Sequence, residues 1–318
     1  MRIAFAGSIA YDYLMTFPGV FTDHILPDRL ESLSLSFLVD DMTRQRGGIA
    51  PNIAYSHALL GGEGTVVGAA GKDFAEYQAW LQEQGVDTSG VRIFDEIFTA
   101  SFFATTDERN NQIASFFPGA MGRAAECRLG DLDFRPALVV ISPDDPGAMR
   151  AHVLECRELG VSYFYDPSQQ IVRMEVVDLR EGISTAHMLI VNDYEFSLIQ
   201  DKLDLTQEKI VAQGTILGIT RGEAGSDIFA DGQHFQIPIA NPAEVKDPTG
   251  TGDAFRGGFL RGVAAGWPWD ICGRLGALTA TYCLENVGTQ NHHYSRVEFV
   301  QRYRENFGDN IHLDALLQ

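Results

Sequence analysis

The chain is short of positive charge. Its 318 residues hold 24 Lys and Arg against 43 Asp and Glu, a formal net charge of −19. Such a chain gains nothing from counterion release on DNA or RNA, so nucleic acid is not an expected partner. A bound anion would need local positive potential from backbone amides, a metal ion and a few Arg or Lys. Cysteine is also scarce: Cys127, Cys156, Cys272 and Cys283 form no Cys-x-x-Cys pair. That argues against a zinc site and suits reduced thiols in the cytoplasm. Long apolar runs are missing. Ala137 to Ile141 and Met188 to Val191 are only of strand length, far short of a membrane span. The N-terminal run Met1 to Gly7 is too short for a signal peptide, and polar Tyr11-Asp12 follows it. No repeat, low-complexity run or linker divides the sequence, so one domain over residues 1–318 is expected.

A nucleotide P-loop is absent too. Gly68-Ala-Ala-Gly71-Lys72-Asp73 lacks the four-residue spacer and the Ser or Thr that would hold magnesium. Asp73 is expected to cap a helix over 74–84.

What the chain does have centres on Asp247-Pro-Thr-Gly-Thr-Gly-Asp-Ala-Phe-Arg-Gly-Gly-Phe-Leu260. A glycine turn feeds an apolar helical pattern there. The free N–H groups of a first helical turn bind anions, helped by the helix dipole. A carboxylate at Asp253 would repel a resting phosphate, so it makes most sense as the acceptor of a proton from an attacking hydroxyl. Taken alone, an ordinary turn with Asp253 as a helix cap stays open. Arg256, three residues on, shares a helix face with Asp253. It could reach a phosphate or pair with an acid.

Residues 1–7 read as a buried first strand, with Asp12 just past its end. In open α/β sheets that is where ligands bind, and a carboxylate can accept from both hydroxyls of a diol. Residues 33–40 alternate apolar and polar, as do 98–105 and 112–117. These three segments predict strands of a small accessory sheet, a lid built from two segments near 13–46 and 91–118. Gly47-Gly48, followed by Asn52, lead into a helix that stops at Gly61. Strands at 137–141, 161–165, 187–191 and 215–220 alternate with helices near 147–159, 193–200 and 206–213. That rhythm predicts an α/β fold with a doubly wound, mainly parallel sheet flanked by helices. A hairpin follows at 227–237, a helix at 271–284, and a surface helix over 296–317.

Asp-Pro-Thr-Gly-Thr-Gly-Asp-Ala-Phe-x-Gly-Gly-Phe and Gly-Gly-x-x-x-Asn resemble the two signatures of the ribokinase-like (PfkB) sugar and nucleoside kinases. The resemblance covers most of the chain. It departs at Pro248, where the family usually has a small polar residue. It implies a ribokinase-like fold and an ATP-dependent phosphotransferase. Gly250, Thr251 and Gly252 would form the anion hole and Asp253 would be the base. Asp12, Gly47, Gly48 and Asn52 would hold sugar hydroxyls. Asn192 and Glu195 match the family's Asn-x-x-Glu, and Glu195 would hold Mg2+ through water. Thr220 and Gly222 would lie at the ATP phosphates, and the residues after Leu284 would wall the adenine pocket; Arg256 stays the candidate nucleotide contact that its helix face allows. A monovalent cation near Asp247 is left open, as is the choice between monomer and homodimer.

The second lid segment is rich in aromatics: Phe98, Phe102, Phe103, Phe116 and Phe117. A planar base can stack on such rings, at about 1–3 kcal/mol per base. Alternation sends only half of them to the ligand side, and Phe102 and Phe116 are the candidates. With segments 46–60 and 115–121, they align the chain with the adenosine and nucleoside kinase branch. The expectation is phosphorylation of the 5′-hydroxyl of adenosine, in cytoplasmic purine salvage. A ribose- or fructose-type sugar kinase and a catalytically silent nucleoside- or sugar-binding protein are the alternatives.

Overall fold

A computed structural model describes residues 1–25 and 35–318. In chain order come β1 (Ile3–Ala6), β2 (Ala10–Thr16), β3 (Asp41–Gly47), α1 (Ile49–Leu59), β4 (Gly64–Gly71), α2 (Ala75–Glu83), β5 (Asp87–Phe94), β6 (Ala100–Thr106) and β7 (Gln112–Phe117). Then follow β8 (Leu138–Ile141), α3 (Pro146–Leu159), β9 (Tyr163–Tyr165), α4 (Val176–Ser184), β10 (Met188–Asn192), α5 (Asp193–Leu203) and α6 (Gln207–Ala212). The rest is β11 (Ile216–Thr220), β12 (Ser226–Ala230), β13 (Gln233–Ile237), α7 (Thr251–Ala265), α8 (Trp269–Leu284) and α9 (Arg296–Phe307).

The large sheet runs β13-β12-β11-β10-β9-β8-β1-β4-β5. It is parallel from β5 to β11, and the β12–β13 hairpin adds the antiparallel edge. Its central strands β1, β8 and β9 are buried at every position because both faces are covered, whereas the edge strands β5 and β13 carry polar, exposed residues. Ala4, Val139 and Leu189 face one core; Phe5, Val140 and Ile190 face the other. The chain winds from β1 toward β5, then returns through β8 toward β11. The order therefore switches beside β1, and the carboxyl ends of β1, β8, β9, β10 and β11 open on one crevice, the usual ligand site of such sheets.

The small sheet has the order β3-β2-β6-β7, with β2 and β6 parallel and both outer pairs antiparallel. Several expectations change here. Of the strand expected at 33–40, residues 33 and 34 lie outside the described part, and 35–40 form no strand; the strand is Asp41–Gly47. Residues 91–94 belong to β5 of the large sheet. Asp12, expected just past the end of the first strand, lies inside β2 of the small sheet. Asp73 does not cap α2: its Oδ1 accepts from the backbone N–H and hydroxyl of Thr99, both at 2.8 Å. Helix α4 had no counterpart in the sequence reading. The tail is not simply surface helix, since Phe299, Tyr303, Leu313 and Leu316 bury against Leu275 and Leu278.

Candidate active site

The helix α7 begins at a turn that only glycine fits. Gly250 has φ +79°, and a Cβ there would stand 2.8 Å from Thr289 Cγ2 and 3.1 Å from its Cα. The turn is pinned from before and behind. Asp247 accepts from Thr249 N and Gly288 N, each at 2.9 Å, and the Thr251 hydroxyl donates to the Pro248 carbonyl. The Gly250 and Gly252 amides are thus presented at the N-terminus of a 15-residue helix, while the Thr251 amide reaches the Pro248 carbonyl at 3.3 Å.

Asp253 is buried in the first turn. Its Oδ2 accepts 2.8 Å from Asn52 Nδ2 on α1. Burial pushes its carboxyl up to about 6, while Arg256 and the Asn52 bond pull down and Glu195 pushes up again. Arg256 does not pair with Asp253. Its Nη2 donates to Asp166 Oδ1 at 2.7 Å and to the Ile190 carbonyl. Its Nη1 lies beneath the turn, 2.9 Å from where a Cβ on Gly252 would stand. Burial works against the guanidinium's charge, but Asp166, Glu195 and Asp253 hold its pKa above the ordinary value. Asp166, at the end of β9, is raised to about 7 by burial despite Arg256. The site is one buried cation among three carboxylates, under a ring of backbone donors.

On the small sheet, register decides what faces the crevice. Asp12 pairs with Gln45 on β3 and with Phe102 on β6, and Phe102 pairs with Phe116 on β7. Gln45, Asp12, Phe102 and Phe116 therefore form one row on one face. Tyr13 and Phe103 occupy the opposite face and stack at 4.8 Å. Gly47 leaves room for the Asp12 carboxylate, which would lie 2.7 Å from a Cβ there. Gly48 (φ +94°) packs its backbone on Ser8 and Ala10. Burial raises Asp12 to about 6, and no hydrogen-bond partner among the described residues offsets it.

On the other side, Asn192 and Thr220 are cross-strand partners at the ends of β10 and β11. Asn192 and Glu195 form a reciprocal capping box on α5. Glu195 Oε1 also accepts from Ser168 Oγ at 2.9 Å. Gly222 opens the short turn after β11, and Arg221 is taken by Asp227. No cluster of three or more His, Cys, Asp or Glu poised to hold a metal occurs among the described residues. Two participants escaped the sequence reading. Gln290, from the stretch expected near adenine, donates to Asn52, and Tyr77 accepts from Gln290. Nothing in local spacing points to either.

A doubly wound sheet with a glycine turn, a buried carboxylate and backbone donors at its switch point defines a phosphotransferase with an alcohol acceptor. The family model for the pfkB family carbohydrate kinases matches residues 11–295. The chain belongs to that family and uses ATP as phosphoryl donor. It is 28% identical to a nucleoside kinase of Methanothermobacter thermautotrophicus, over 95% of both chains. It is 30% identical to a cytidine kinase of Thermococcus kodakarensis, over 76% of this chain and 88% of that one. The structure of a Burkholderia thailandensis nucleoside kinase in complex with inosine superposes with a TM-score of 0.85 at 37% identity, covering 98% of this chain and 99% of that one. The same enzyme is known in complex with ADP-inosine.

Proposed function

We propose that the protein transfers the γ-phosphoryl group of ATP to the 5′-hydroxyl of a nucleoside, with adenosine as the preferred substrate and AMP as product. The observation that carries this reading is the row Asp12, Phe102, Phe116. It sets a desolvated carboxylate beside two aromatic rings at cross-strand spacing. A carboxylate suits a ribose diol, and a pair of rings suits a planar base. The relatives that act on or bind nucleosides support the same class.

In this reading Asp12, Gly47, Gly48 and Asn52 hold the ribose. The phosphates of ATP lie against Gly250, Thr251 and Gly252, with Asn192, Thr220 and Gly222 alongside. O5′ attacks the γ-phosphorus and its proton passes to an Asp253 carboxylate oxygen. The bond from that phosphorus to the β,γ-bridging oxygen breaks, and ADP leaves. Arg256 adds positive charge beneath the turn. Glu195 would hold Mg2+ through water, since its carboxylate keeps lone pairs beyond the two bonds it accepts. Few protein ligands and several waters are what that ion takes. That ion would neutralise charge on the phosphates. A monovalent cation beside Asp247, where the carboxylate pins the turn, would stiffen the anion hole. Both substrates are small molecules, and the reaction fits cytoplasmic purine salvage by a monomer or homodimer. No helix among the described residues is long and apolar enough to cross a membrane.

Asp12→Ala is expected to weaken adenosine binding about 10- to 100-fold, the loss of hydrogen bonds to a charged group. ATP binding stays unchanged, because Asp12 belongs to the small sheet whereas Asn192 and Thr220 lie at the ends of β10 and β11 in the large one. Calorimetry with each ligand checks it. An unchanged adenosine Kd in a folded Asp12→Ala protein removes Asp12 from the site.

A further inference from the structure

Asn52 clamps Asp253, and Asn52 is itself clamped. Gln290 Nε2 donates to Asn52 Oδ1 at 2.6 Å and to Tyr77 Oη at 2.5 Å; Tyr77 donates to the Gly47 carbonyl at 2.9 Å. The ends of this chain, a backbone carbonyl and the Asp253 carboxylate, can only accept. Tyr77 has one proton, and Gly47 takes it. Tyr77 must then accept from Gln290, which puts the amide nitrogen of Gln290 between Tyr77 and Asn52. The carbonyl of Asn52 must meet that nitrogen, so its NH2 must face Asp253. Every donor direction is forced. Turning Gln290 over would set the Asn52 oxygen against the carboxylate.

The lock is built in. Gln290 is 3% exposed, and its Oε1 has no hydrogen-bond partner among the described residues. Leaving a buried oxygen unsatisfied is costly, and what this arrangement keeps is the two donations. The neighbours of Gln290 hold it against β3. Thr289 Oγ1 donates to the Arg46 carbonyl, and Gly288 lies against the Gln45 side chain.

We infer that Gln290, seated by Tyr77, is a positioning residue for phosphoryl transfer: it orients the Asn52 amide, which orients the Asp253 carboxylate toward the attacking hydroxyl. The inference rests on Asp253 as the base. It ties the base to Gly47, at the root of the small sheet.

The test compares Gln290→Ala with Gln290→Met, which fills the space but cannot donate. Both are expected to lose about 10- to 100-fold in kcat, the scale of a displaced catalytic group, with ATP KM within about twofold because no nucleotide contact changes. Tyr77→Phe is the milder variant should both fold poorly; it keeps the ring, removes the acceptor of Gln290, and lowers kcat several-fold in the same manner. A second readout is the Asp253 carboxyl itself, followed by 13C NMR and assigned by difference from Asp253→Asn. With Asn52 no longer held as a donor, its titration moves to higher pH. The charged groups around it, Arg256 on α7, Glu195 on α5 and Asp166 after β9, are the same in wild type and variant. The shift therefore reports on Asn52. This readout moves whether or not Asp253 takes the proton, whereas failure of the base assignment appears as an active Asp253→Asn enzyme. Recovery of kcat by Gln290→Met relative to Gln290→Ala, or an unmoved Asp253 titration in the variants, overturns the inference.

Discussion

Asp253→Asn is expected to lower kcat by at least about 10²-fold while adenosine and ATP still bind. The amide keeps the size of the side chain and can still accept from Asn52, but it cannot take the proton of O5′. General-base contributions run to about 10²–10⁴-fold. A loose transition state leaves the nucleophile's proton in place until late, which favours the lower end. Lost alignment of the hydroxyl with the γ-phosphorus adds to the penalty. Nucleoside Kd should change little, since the contact matters in the transition state. The wild-type rate should also fall as pH drops through about 6, where burial has placed the Asp253 carboxyl, and this acid limb should vanish in the variant. Stability should move the other way. A carboxyl raised from 3.8 to about 6 in the folded state carries no cost below its unfolded value, loses stability as pH rises between the two, and carries the full cost above about 6, so the variant should melt higher at neutral pH. A folded Asp253→Asn enzyme that keeps more than about a tenth of wild-type kcat would remove Asp253 as base.

Gly250→Ala should cost nearly as much by a different route. An alanine at φ +79° strains the backbone, at about 1–2 kcal/mol for a left-handed residue. Its Cβ would also collide with Thr289, including the backbone Cα. Thr289 is tied to Arg46, so it cannot retreat freely. The turn must move instead, taking the Thr251 and Gly252 amides with it. One misplaced oxyanion donor costs about 10²–10³-fold in kcat. The expected result is a drop of about 10²-fold in kcat with adenosine Kd intact and a lower melting temperature. A variant within about twofold of wild type in kcat would show that this turn does not shape the transition state.

Parts of the site that are continuous in sequence were legible there. The glycine turn and the proposed base lie within 250–253, and the central apolar strands of the large sheet announce themselves because both faces are buried. Strand β3 was misplaced by several residues for a physical reason. Its one face, with Thr43, Gln45 and Gly47, borders the crevice; its other sets Arg44 and Arg46 over Tyr11 and Trp80. A strand with polar residues on both faces shows no alternation, whereas 33–40 alternates in sequence and yet its described part, 35–40, forms no strand. The partners of the base were out of reach altogether. Asn52 meets Asp253 across 201 residues, and Gln290 meets Asn52 across 238. Arg256 was divided between a phosphate and an unnamed acid. Its partner proves to be Asp166, 90 residues away, and that pair stands beneath the turn.

The central claim is that this pfkB-family kinase acts on a nucleoside at O5′. The direct measurement is kcat/KM with ATP for adenosine, inosine, cytidine, ribose and fructose, with the phosphorylated position of each product read from its 31P–1H couplings. The account predicts that adenosine leads and that its product is AMP, phosphorylated at the 5′ oxygen. Faster turnover of ribose or fructose than of every nucleoside, or phosphate on a secondary hydroxyl, would contradict it.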